Sequence, residues 1–361
     1  RITILGIFEK HGNKGIILSI TKGSQKKWTV NPNFENDAIN GDIVEAEETI
    51  SKYQKEDAKI INILGNVNDA KSLSLIAINE HNIPHKFPEE VLEKYDEVKV
   101  SQKSRTDLRD LSFVTIDPSD ARDHDDACFA QADDAPDNVG GHIVWVAIAD
   151  VAHYVTARSA LDKEARLRGN SSYFPDRVVP MLPDRLSGDL CSLHEGVPRA
   201  CLAVRMQLDA EGTKISHRFE RGVMRSAASL SYEEVQAAVD GAPNDRCAPL
   251  LETVIAPLYA AYAALVTARN LRQPLNLDLP ERKVILGEDG VVQSVNFSER
   301  LDAHRLIEEF MVLANVAAAE TLIAKKQPLL FRVHEEPSVE KMESLRATAQ
   351  SAGFNLAKGQ V

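Results

Sequence analysis

The stretch TIDPSDARDHDD, residues 115–126, constrains this chain more than any other. It places Asp117, Asp123, Asp125 and Asp126 within ten positions, with Asp120 between them. Two carboxylates about 4 Å apart repel by about 4 kcal/mol at an effective dielectric of 20. The flanking segments LSFVTI (111–116) and DACFAQA (126–132) are apolar and read as strands. The fold must therefore hold a cluster of acids at a strand end, where water or a cation can reach it. One or two such aspartates would be turn chemistry, each capping its own backbone. Four beside two apolar strands point instead to a metal site. The ligands on offer are hard oxygens without cysteine, which suits Mg²⁺, Mn²⁺ or Ca²⁺. The EF-hand pattern fails, because the loop has no Gly at its sixth position and no Glu at its twelfth. His124 lies inside the cluster but is expected to pack away from it, since adjacent residues of an extended segment point to opposite faces. Four carboxylates suit one ion, or a pair about 4 Å apart, as used in phosphodiester hydrolysis.

The chain has 361 residues, 43% hydrophobic and 27% charged, enough for two or three domains with real cores. No apolar run approaches the ~18 residues that span a bilayer, and no signal peptide is visible. The four cysteines, Cys128, Cys191, Cys201 and Cys247, form no C-x-x-C pair, which argues against zinc. The reading is a reduced, cytoplasmic protein without a membrane partner. Because it begins at Arg1, the chain is read as a fragment or a processed product. A net charge of −12 is unusual for a partner of nucleic acid. A local basic channel on an acidic body reconciles the two.

The basic residues change type along the chain. Residues 1–103 hold 13 Lys and 1 Arg, whereas residues 104–361 hold 7 Lys and 21 Arg, which places a boundary near 103. The first part reads as β. RITILGIFEK and KGIILSIT are joined by the hairpin signal HGNKG, and KKWTVN, GDIVEAEE and AKIINILGNV follow. Five short strands in this space predict a small OB-type, cold-shock-like barrel over 1–70. A linker with a helix at 87–98 covers 71–110. Beyond it the chain mixes α and β. The spacing predicts strands at 142–151, 200–209 and 215–225, and a hairpin over 281–298 about Gly290. Helices are expected at 159–169, 231–240, 249–272, 302–326 and 338–352. The fold class is α+β, a barrel followed by a mixed α/β domain over 111–361.

The segment DLRDLSFVTIDPSDARDHDDA resembles the signature of the RNB family of exoribonucleases, the ribonuclease II and ribonuclease R group, and is closer to the ribonuclease R branch. VAIADVAHYV, SSYFPDRVVPMLPDRLSGDLCSL and DAHRLIEEFMVLAN resemble successive blocks of the family's catalytic domain. The resemblance implies a processive 3′-to-5′ exoribonuclease that hydrolyses single-stranded RNA to 5′-mononucleotides with Mg²⁺, or Mn²⁺ in its place. It implies that Asp117, Asp123 and Asp126 hold metal and that Asp125 is the catalytic member. It assigns Tyr173, in SSYFP, to stacking on the 3′-terminal base, and leaves Leu277 where the opposing platform is usually Phe. The family continues past the position of Val361 with an Arg-bearing segment and an S1-type domain. From this chain alone, poor hydrolysis is therefore expected. The alternative is a non-catalytic RNA-binding or regulatory module on the same fold.

Four further residues draw the eye. Trp28, beside Lys26 and Lys27, reads as core more readily than as a base platform. Glu308 and Glu309 read as an exposed helix face. His153 near Asp150 resembles a dyad but reads as a structural pair.

Overall fold

The computed structural model describes residues 3–20, 24–50, 56–69, 72–92, 104–272, 274, 281–287 and 289–357. Two compact units divide the chain, Arg1–Ala314 and Asn315–Val361.

The first unit opens with five strands: β1 (Thr3–His11), β2 (Lys14–Ser19), β3 (Lys27–Val30), β4 (Asp42–Ile50) and β5 (Glu56–Asn66). Alternation along them drives closure. Ile4, Phe8, Ile17, Trp28, Val30, Val44 and Ile60 point inward and form one core. The order β1-β2-β3-β5-β4 closes into a barrel, because β3 and β5 pair in parallel while the other neighbours are antiparallel. The β1–β2 turn opens after His11, which pairs with Lys14, and Gly12 supplies its positive φ of 62°. Trp28 is 6% exposed and its indole N–H donates to Glu48 at 3.0 Å, so it belongs to the core, as its sequence suggests.

Two short helices, α1 (Ser72–Glu80) and α2 (Glu89–Leu92), lead out of the barrel. The helix expected over 87–98 is thus described only to Leu92, and residues 93–98 lie outside the described set. Helix α1 was not foreseen, since SLSLIAINE has apolar residues on every side of the helix.

A seven-stranded sheet follows. Its strands are β6 (Thr106–Asp107), β7 (Val114–Asp117), β8 (Asp126–Ala132), β9 (His142–Ala149), β12 (Pro198–Leu208), β13 (Lys214–Arg225) and β14 (Ala228–Ser231). Between β9 and β12 the chain forms α3 (Val151–Tyr154), α4 (Ala160–Arg168) and a separate hairpin, β10 (Ser172–Tyr173) with β11 (Val178–Val179). The sheet order is β14-β7-β8-β9-β12-β13-β6. Its edges, β14 on β7 and β6 on β13, are the parallel pairs. The expected strand at 111–116 begins only at Val114, because Leu108–Leu111 form a turn closed by the Leu111 N–H on Leu108 O at 3.2 Å.

Helices α5 (Tyr232–Val239) and α6 (Ala256–Leu271) follow the sheet, then the hairpin β15 (Glu281–Leu286)–β16 (Val292–Ser298), then α7 (Asp302–Ala324). Ser231 and Glu234 close a full capping box on α5. The expectation that no apolar run reaches spanning length needs one correction. Ala248–Leu271 has 24 residues and is apolar enough by length and composition. Its apolarity is that of a core helix, since Leu258, Ala261 and Leu265 are buried where α6 packs on β8 and β9. The second unit contains α8 (Val339–Ser351), capped by Ser338, whose hydroxyl accepts from the Lys341 N–H at 3.3 Å.

Candidate active site

Strand β7 is buried at Val114, Thr115 and Ile116 and delivers Asp117 at its C-terminal end. Strand β8 starts at Asp126. The acidic loop between them is pinned from outside. Asp125 O accepts from the Ala149 N–H at 2.9 Å, which ties the loop to the end of β9. The His124 N–H donates to Ser192 Oγ (2.9 Å), and the Leu193 N–H donates to His124 O (2.9 Å). The Ser192 hydroxyl, fully buried, donates to Arg122 O at 3.1 Å. Arg199 then anchors this support, donating through Nε to Ser192 O (3.0 Å) and through a terminal nitrogen to Asp189 (2.8 Å). The LSGDLCSL stretch thus serves as the seat of the aspartate loop.

The side chains of the loop divide. Asp123 and Asp125 are exposed, Asp117 and Asp126 half-buried. His124 Nδ1 donates to Asp117 Oδ2 at 2.8 Å, and the His124 ring meets His194 edge-on at 5.9 Å. His124 is therefore packed, as expected, but it also takes up one of the cluster's carboxylates. That hydrogen bond raises the His124 pKa against the opposing effect of burial. Burial, with the charges of Asp117 and Asp125, pushes the Asp126 carboxyl up to about 7. Asp125 is raised as well: the residue as a whole is exposed, but the protein packed around its carboxyl desolvates it, and the charges of Asp123 and Asp117 add to this. These carboxylates feel one another in the way the sequence implies.

Among the described residues, however, no group of three or more His, Cys, Asp or Glu side chains is arranged to hold a metal ion. By chemistry the donors still fit a divalent cation. They are hard oxygens, and Asp126, pushed up to about 7 first by burial and then by the charges of Asp117 and Asp125, is an acid whose ionised form a nearby cation would favour.

Tyr232 was missed from sequence. Strand β14 runs parallel to β7 with Ser231 level with Asp117, so the next residue arrives at the carboxylate end. Burial, then Asp117 and Asp126, push the Tyr232 phenol up to about 12. The tertiary signal was absent, but the capping box marked where β14 had to stop. A cleft of about 750 Å³ opens beside His124, lined among others by Pro118, His194, Ser231 and Arg246, and is of ligand size.

Tyr173 lies apart from the aspartates on its own hairpin and is 71% exposed, which excludes a core role. Leu277 lies outside the described residues. Glu308 is exposed and pairs with Arg300, but Glu309 is 7% exposed and faces Arg269 at 3.3 Å, so the expected exposed pair is half wrong. Helix α7 turns Glu309 inward with Leu306 and Phe310, which are fully buried. Asp150 bonds Arg105 (2.7 Å) and Arg221 (3.2 Å) rather than the ring of His153, so the dyad does not form.

The comparisons with known proteins agree with this layout. The RNB domain model matches residues 105–360, and a cold shock domain model matches 19–88. The ribonuclease R of Vibrio parahaemolyticus is 38% identical over 324 residues, covering 88% of this chain and 38% of its own length. The chain thus spans well under half of that curated relative. The Mycoplasma genitalium RNase R, solved with double-stranded RNA, superposes with a TM-score of 0.86 at 26% identity, covering 100% of this chain and 64% of its own. Yeast Ssd1, described as a pseudonuclease, shares the fold with a TM-score of 0.68 at 16% identity. A barrel of the cold shock type, a mixed sheet ending in an aspartate loop, and a domain match over most of the length together place the chain in the RNB family.

Proposed function

We propose that this chain carries the metal-dependent active site of a 3′-to-5′ exoribonuclease that degrades single-stranded RNA to 5′-mononucleotides. The crowded carboxylates where β7 ends and β8 begins carry the reading. Asp117, Asp123 and Asp126 would hold the ion, Mg²⁺ with Mn²⁺ as the alternative. When bound, such an ion polarises a phosphoryl oxygen and lowers the pKa of water. Asp125 is exposed, held through its own carbonyl, and raised above the ordinary carboxylate range, so it suits the proton acceptor for the attacking water. His124 orients Asp117, and Tyr173 offers an aromatic face to the 3′-terminal base. The division we propose is a barrel over 1–70, a connector over 71–110 and the catalytic domain over 111–361. Four free, buried cysteines support a cytoplasmic setting.

The absence of a preformed three-ligand cluster among the described residues favours one rival, an RNA-binding module without hydrolysis. Incubation with 3′-labelled and uniformly labelled single-stranded RNA in Mg²⁺ separates the two. Release of mononucleotides that EDTA abolishes supports the enzyme. Salt-sensitive retention of intact RNA, with no mononucleotide in Mg²⁺ or Mn²⁺ even when the family's Arg-bearing segment is supplied in trans, supports the rival.

A further inference from the structure

The hairpin that presents Tyr173 is too short to orient itself. Each strand has two residues, with Ser172 opposite Val179 and Tyr173 opposite Val178. Isolated ladders of this size have no stability of their own. Its pose is therefore set by whatever grips its ends and its tip.

Those grips come mainly from the segment between the barrel and the sheet. Arg168 closes α4 five residues before Tyr173, and its side chain is 2% exposed. The guanidinium donates to Pro84 O at 2.7 Å and Lys86 O at 2.8 Å in the connector, and to Pro180 O at 3.1 Å just past β11. Nε donates to Glu164 at 2.9 Å, and the guanidinium plane lies 3.5 Å over the Phe87 ring. One planar cation thus joins the connector, α4 and the exit of the hairpin. At the hairpin tip, Ser74 of α1 donates its hydroxyl to Asp176 at 2.8 Å. Both groups are largely buried, and Arg177 also holds Asp176 at 2.8 Å. Gly169, at φ 78°, makes the turn from α4 toward β10 that this geometry needs.

We propose that Arg168 and the Ser74–Asp176 bond form a latch by which the barrel-side connector positions the Tyr173 platform. Arg168, Ser74 and Asp176 are positioning residues, and their burial leaves them no open face for RNA. The base-stacking consequence rests on the proposed role of Tyr173, whereas the latch itself does not. Lysine is a strict test at 168. It keeps the charge, but its three N–H donors sit on one atom, so it cannot serve all four acceptors that the fork reaches, and it has no planar face to lay on Phe87.

Two readouts separate the claims. Hydrogen exchange on the full 361-residue chain, without RNA, reads the latch. Arg168→Lys should speed exchange at the Phe174 amide, bonded to Arg177 O at 2.8 Å, on the order of tenfold, while amides of β9 stay unchanged. Ser74→Ala should do the same more weakly and serves if Arg168→Lys fails to fold. Binding of an RNA 10-mer with 2-aminopurine at its 3′ end then reads the platform. Tyr173→Ala should lose the quenching of that base, and Arg168→Lys should lose most of it, whereas a 5′-terminal probe is unaffected. Unchanged exchange at the hairpin in both latch variants overturns the latch. Faster exchange together with full quenching in Tyr173→Ala upholds the latch and overturns the stacking role.

Discussion

Asp125 and Asp126 are neighbours in sequence with different surroundings, and the difference shapes what each can do. Asp126 opens a strand and is half-buried, whereas Asp125 is exposed and held only through its backbone. In the proposed site, Asp125→Asn should lower turnover by about 10²–10⁴-fold. RNA affinity should stay within about twofold, because phosphate and stacking contacts remain. Paired filter-binding and turnover measurements check this, and equal losses in both would count against it. Tyr173→Ala should cost about 1–3 kcal/mol per stacked base, seen as weaker retention and longer limit products on a sequencing gel. At this scale the acids were legible because their crowding is a property of the string itself. Tyr232 and the His124–Asp117 bond were not, since β14, which starts 114 residues after β7 does, brings one and the loop's folding-back brings the other.

Among elements, the buried pair of Arg105 and Asp150, joined from the surface by the exposed Arg221, ties the start of the sheet domain to the end of β9. Burial alone would raise the Asp150 carboxyl. The hydrogen bonds from Arg105 and Arg221 outweigh it and hold the pKa below its ordinary value. The stabilisation is therefore present above the unfolded carboxylate value of about 3.9 and is lost as pH falls through the folded one. Arg105→Ala should destabilise by about 3 kcal/mol near pH 6, toward the low end for a broken buried pair because Arg221 remains. The gap between wild type and variant should close progressively below about pH 4, as urea titrations at several pH values would show. A gap that stays constant into acid would refute the assignment. Elements with strong local signals were legible, including the five barrel strands and the capped helices α4, α5 and α8. The edge strands β6 and β14 and the two-residue hairpin were not, because they exist through pairing with distant partners rather than through pattern.

For the molecule as a whole, an acidic chain of net charge −12 concentrates repulsion at the aspartate loop, and a bound cation should be felt globally. At about 100 times its Kd, Mg²⁺ should add about 2.7 kcal/mol to the stability of the folded state. Melting in Mg²⁺ against EDTA should show an upward shift that Asp117→Asn combined with Asp126→Asn removes. An equal shift in that double variant would place the ion elsewhere. The two-part layout could be read from the change of Lys to Arg and from strand spacing. The order of the seven-stranded sheet could not, since its edges are parallel pairings between segments far apart in the chain.

The cysteines have a practical consequence. Cys128, Cys191, Cys201 and Cys247 are all free and buried in the sheet domain, and residues 1–103 contain none. Burial first of all pushes Cys191 and Cys201 up to about 12, so the folded protein presents almost no thiolate. A thiol-reactive dye added in a brief pulse will therefore mark only molecules whose sheet domain has opened and will ignore the barrel. The chain carries its own chemical counter for the opening of one half, which allows that half to be timed while the other stays silent.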